Sequence, residues 1–137
     1  MKKVLSIVCL LALTVCCLFA FASCGAPNSN PDDAKAALEE NGLKATKDTV
    51  AQPLVLKGLG IDDVDCVVSA AGKIDDEYAY IYIIYFEETD DAKEAWEDVQ
   101  EYADKQKSDE AEDSEWVCEK SGKMIYFGTK NAVKAAK

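Results

Sequence analysis

Arginine and histidine are both missing from this 137-residue chain. Without histidine there is no imidazole base, no imidazole metal ligand and no side chain that titrates naturally near neutrality. Without arginine there is no planar fork to grip a phosphate or carboxylate with two hydrogen bonds. No Cys-x-x-Cys pair occurs, so zinc ribbons and thioredoxin-like redox chemistry have no support. Basic charge is scarce: 15 lysines face 26 acidic residues, a net charge of −11. Such a surface repels nucleic acid and does not adsorb electrostatically to anionic lipid.

Only one long hydrophobic run is present. Lys2 and Lys3 precede an apolar or small stretch over residues 4–22, whose end runs into the segment Phe21-Ala22-Ser23-Cys24-Gly25. A positive start, an apolar segment and small residues before a cysteine make an export signal. The last five residues resemble the lipobox of bacterial lipoproteins. The resemblance implies cleavage between Ser23 and Cys24, diacylglycerol on the Cys24 thiol, and a domain held outside the cytoplasmic membrane in the cell envelope. The competing reading is an uncleaved helix, since about 20 apolar residues span a bilayer. Both put the rest of the chain on the same side, because the lysines stay inside. Two acyl chains anchor stably where one does not. The expected organisation is a signal peptide over residues 1–23, a lipidated cysteine and flexible polar tether over 24–30, and one small domain over 31–137.

Of six cysteines, Cys9, Cys16 and Cys17 lie within the signal and Cys24 is the lipid acceptor. Cys66 and Cys118 remain, a pair open to a disulfide in an exported domain; two buried thiols are the alternative.

In the mature part, Asn30-Pro31-Asp32-Asp33 starts a helix that ends at Asn41-Gly42. A short edge strand is expected over residues 43–50, and a loop over 53–60, broken by Pro53 and two glycines. Alternation marks a strand over residues 64–71, a turn follows, and residues 78–86 form the surest strand. With Ala71 opposite Tyr78, one face holds Val64, Cys66, Val68, Ile81, Ile83 and Tyr85. The other holds Asp65, Ser69, Tyr78, Tyr80, Tyr82 and Phe86. Thr89 caps an amphipathic helix, and a polar, acidic loop covers 106–114. Two strands joined around Ser121-Gly122 and a last helix capped by Thr129 complete the chain. The order α-β-β-β-α-β-β-α predicts an α+β fold: an antiparallel sheet of four to five strands with helices mainly on one face.

Catalysis is not expected, since Ser69 and Ser121 have no partner base. Two surfaces stand out. Asp62, Asp63, Asp65, Glu87 and Glu88 cluster where the hairpin register opposes like charges. Ca²⁺ would neutralise them, but the spacing and central glycine of a calcium loop are missing, and a solvated acidic surface is the plainer reading. Tyr78, Tyr80 and Tyr82, with Tyr126, form an aromatic stripe opposite the cysteines, suited to protein, peptide or carbohydrate if open. No cofactor is expected beyond the diacylglycerol. The sequence therefore predicts a lipid-anchored, non-catalytic binding or interaction module. An accessory or structural subunit of a cell-envelope complex, or a cation-binding domain, is the alternative.

Overall fold

The computed structural model describes residues 25–107 and 115–137. The signal, Cys24 and most of the acidic loop lie outside these residues. The fold is α+β, built on a five-stranded antiparallel sheet. In chain order the elements are α1 (Pro31–Glu40), β1 (Lys44–Asp48), α2 (Ala51–Gly58), β2 (Val64–Ile74), β3 (Glu77–Phe86), α3 (Thr89–Gln106), β4 (Trp116–Ser121), β5 (Met124–Thr129) and α4 (Lys130–Ala135). Across the sheet the strands run β1-β2-β3-β5-β4.

The helix ends follow from local chemistry. Asn30 Oδ1 accepts from the Asp32 and Asp33 N–H groups. At the other end of α1, Gly42 (φ +86°) and Leu43 donate back to the Glu39 and Leu38 carbonyls, a Schellman closure. The same closure ends α2, with Gly60 (φ +87°) and Ile61 bonded to Lys57 and Leu56. α2 lies where the sequence suggested a loop. Pro53 sits in its first turn, where backbone N–H groups lack helical partners anyway, so the ring breaks nothing. The Asp48 carboxylate caps this turn through the Val50, Ala51 and Gln52 N–H groups. α3 is capped by Glu88, one residue before the expected Thr89, and the Glu88 N–H donates to the Asp91 carboxylate.

The β2–β3 hairpin is longer than expected. Ala71 pairs with Tyr80, and Asp75 and Asp76 form the two-residue turn, both at positive φ (51° and 64°) as a type I′ turn requires. The register differs from the expected one by two residues, so most side chains keep their face. Val64 is the exception. A bulge between Val64 and Cys66 changes the parity, and Val64 packs on the face opposite Cys66.

Helices cover both faces of the sheet, not mainly one. Ala34 and Leu38 of α1 and Ala132 and Val133 of α4 pack over Cys66, Val68, Ile81, Ile83, Tyr85 and Tyr126. Leu56 of α2 and Ala92, Ala95, Val99 and Ala103 of α3 pack over Val67, Tyr82, Ile84, Phe86, Ile125 and Phe127. The reason is visible in β3: residues 81–86 are buried on both sides, so each face needs its own layer.

Candidate functional site: a tyrosine-lined pocket on one sheet face

The tyrosine stripe is divided by the fold. Tyr82 is 5% exposed and belongs to the core under α2 and α3, whereas Tyr78 and Tyr80 are partly open. Tyr126 is not part of it. β5 pairs with β3 so that Tyr126 opposes Ile83, which sends it to the Cys66 face. Its place beside Tyr82 is taken by Phe127. Tyr82 and Phe127 stack with ring centroids 5.1 Å apart, Tyr102 of α3 meets Phe127 edge-on at 5.9 Å, and Tyr80 stacks on Trp116 at 6.1 Å. The Trp116 indole N–H is buried and has no acceptor among the described residues.

Where α2 and α3 diverge over β1, β2 and β3, this aromatic layer opens into a shallow cavity of about 330 Å³. Tyr80, Tyr82 and Tyr102 supply aromatic surface; Thr46, Ser69, Gln52 and Gln106 supply neutral polar groups; Lys44 supplies one positive charge. Among the described residues no carboxylate lines it. The Tyr82 hydroxyl donates to Gln52 Oε1 at 2.7 Å, which leaves the Gln52 amide nitrogen to donate elsewhere. Thr46 Oγ1 and Ser69 Oγ lie 3.2 Å apart across the β1–β2 pair. Burial pushes the Tyr80 phenol up to about 12, and that of Tyr82 also well above the usual range, so both are neutral donors at physiological pH. Lys44, Gln52, Tyr102 and Gln106 carried no signal as a group in the sequence; their meeting depends on the strand order and on α2.

The acidic residues do not converge. Asp62 and Asp63 border a small cleft with Asp91 and Glu94, while Asp65 and Glu87 border a separate depression with Lys123. Glu88 stands at the head of α3. All five are exposed, and among the described residues no three acidic or thiol side chains are placed so that they could hold one metal ion.

The expected proximity of Cys66 and Cys118 is overturned. Both are free thiols. Cys118 opposes Phe127 and packs on the Tyr82 face; Cys66 lies on the other. Their strands, β2 and β4, are separated by β3 and β5. Three strand spacings amount to roughly 14 Å, twice what a disulfide spans between α-carbons.

The tether is also different from its expected form. Ala26 packs against the core beneath α1 and α4, and Pro27 is buried. The Asn28 N–H donates to the Ala136 carbonyl at 2.8 Å, and the Tyr85 hydroxyl to the Asn28 carbonyl at 2.7 Å. The polar composition of residues 25–30 suggested flexibility, but Ala26 and Pro27 pack on the domain and both backbone groups of Asn28 are bonded to it.

Comparison with protein-family models, with curated proteins and with solved structures finds no match.

Proposed function

We propose that this chain is a lipid-anchored extracytoplasmic binding module, held through diacylglycerol on Cys24, with the tyrosine-lined pocket as its ligand seat. The pocket carries the reading. It joins apolar rings to amide, hydroxyl and ammonium groups, the mixture that recognises a polar ligand with one flat apolar face, such as a sugar or a peptide side chain. Among the described residues its lining holds one lysine and no carboxylate, which favours a neutral or anionic ligand over a cation. A binding role fits the described residues, among which no nucleophile is paired with a base.

Two experiments test the two halves of this proposal. Metabolic labelling with a fatty acid should mark the wild-type protein and not Cys24→Ala, and the variant should remain unprocessed or be released. Labelling that survives the change refutes the anchor. A glycan and peptide array should identify a ligand whose binding is lost in Lys44→Gln/Gln106→Ala, a double variant at exposed positions that should fold normally. Binding unaffected by that variant places the ligand site elsewhere.

A second reading, the accessory subunit of an envelope complex, is favoured by one feature. Val50 (72% exposed), Leu54 (69%), Val55 and Leu59 leave an apolar ridge on or beside α2. Photocrosslinking in cells from position 54 would capture a defined partner under this reading and give only solvent-quenched product under the first.

A further inference from the structure

The residues that follow Cys24 dock on one particular face of the sheet, and that has a consequence for orientation. The Asn28 carbonyl and N–H are held by Tyr85 and by Ala136, just beyond α4. The Gly25 carbonyl lies 3.5 Å from the Tyr126 hydroxyl, whose one proton goes to Glu119 at 2.9 Å. Tyr85 and Tyr126 both belong to the face covered by α1 and α4. One peptide link, about 3.8 Å between α-carbons, separates Gly25 from Cys24. An anchor at Cys24 therefore has almost no slack between lipid and domain.

The acidic domain as a whole is repelled by anionic lipid, but this side is opposed least: α1, with four acids and one lysine, and the last eight residues, with three lysines, together carry no net charge. The last eight residues contain Lys130, Lys134 and Lys137 and no acidic residue. Lys130 pairs with Glu115 at 2.9 Å, while Lys134 and Lys137 are exposed. On neighbouring α1, Lys35 pairs with Glu39, and Asp32 with Lys47 of β1, which offsets half of that helix's four acids. The tyrosine pocket and the α2 ridge lie on the opposite face.

We propose that the α1/α4 face lies against an anionic bilayer surface and that the tyrosine pocket opens away from it. The proposal rests on lipidation of Cys24. Residues 25–28 act as a short rigid strap: the acyl chains supply the affinity, the strap sets the orientation, and the C-terminal lysines meet lipid headgroups. The α2 ridge is then held clear of the membrane and faces outward.

The test uses the full lipidated protein, in a Cys118→Ser background, reconstituted into phosphatidylcholine vesicles with about one-third phosphatidylglycerol. A fluorophore is placed at Lys134→Cys on α4 or at Lys57→Cys on α2, and quenching by headgroup-nitroxide lipid is measured. Quenching should be several-fold stronger at position 134. The contrast should disappear when ten Gly/Ser residues are inserted between Gly25 and Ala26. Equal quenching in the uninterrupted protein, or stronger quenching at position 57 through insertion of the α2 ridge, overturns the orientation and leaves the anchor intact. If mass spectrometry finds no acyl group on Cys24, the anchor itself fails and the orientation falls with it.

Discussion

The Tyr82 hydroxyl donates to Gln52 Oε1 across 2.7 Å, joining the central strand to the helix that walls the pocket. Tyr82 thus serves the core through its ring and the pocket through its oxygen. Tyr82→Phe should keep the stack on Phe127 and cost about 1 kcal/mol. Tyr82→Ser should cost about 3–5 kcal/mol by emptying a buried aromatic site. Urea unfolding checks both. Equal losses would mean that the ring contributes no core packing.

Gly128 should tolerate no side chain. A Cβ there would stand 2.1 Å from the Tyr80 carbonyl oxygen and 2.8 Å from the Ile81 α-carbon, backbone atoms of the adjoining strand that cannot swing aside. Gly128→Ala should therefore lose about 3 kcal/mol or more. Gly42, at φ +86° with open space around it, is the control. Gly42→Ala should cost about 1–2 kcal/mol, from backbone conformation alone. A Gly128→Ala protein as stable as Gly42→Ala would show that β3 and β5 are not paired in this register.

The two thiols should stay reduced under air. Mass spectrometry of alkylated protein should find both Cys66 and Cys118 modified after denaturation, and reductant should leave the melting temperature unchanged. In the native protein a thiol reagent should reach the partly exposed Cys118 before the buried Cys66. Burial raises both thiols to about 11, so reaction at neutral pH should be slow and accelerate with pH. A reductant-sensitive melting temperature would contradict the strand order.

Alkaline pH should weaken the fold. Burial raises the Cys66 and Cys118 thiols from 9.0 to about 11 and the Tyr80 phenol from 10.0 to about 12, and moves Tyr82, Tyr85 and Tyr126 in the same direction. From about pH 9 upward the unfolded chain holds fewer protons on these groups than the folded one, so stability falls as pH rises. Below that pH both states are protonated and the contribution is constant. The urea midpoint should decline steadily above about pH 9; a midpoint that rises there would refute the buried placement.

The strap should be measurable without any lipid. The Asn28 N–H, bonded to the Ala136 carbonyl, should exchange slowly with deuterium, and Tyr85→Phe should speed it by releasing the Asn28 carbonyl. Exchange as fast as in a free peptide would return residues 25–30 to the flexible tether their composition suggests.

Much of the fold was legible along the chain because its causes are short-ranged. Asn30 capping α1, Gly42 closing it and the alternation of tyrosine with aliphatic residues over 78–83 each depend on residues within a few positions. Face assignment in β2 and β3, Val64 apart, survived a register error because an even slip preserves parity. α2 was missed because Pro53 reads as a breaker unless Asp48 is already known to cap the turn it begins. The pocket was half legible: Tyr80 and Tyr82 stood out by spacing, whereas Gln52, Tyr102 and Gln106 arrive from two helices.

Composition and local pattern were enough to settle the element types apart from α2, the antiparallel α+β class and the acidic, histidine-free chemistry that any function here must use. Only the tertiary structure decided which faces meet. The pairing of β5 with β3, across the long excursion of α3, sends Tyr126 and Cys118 to the faces opposite those expected and leaves Cys66 without a partner. That pairing is set by burial on both sides of β3, a cooperative property of residues some 40 positions apart. No local signal carries it, because a period of two says which residues share a face but never which face looks toward which helix.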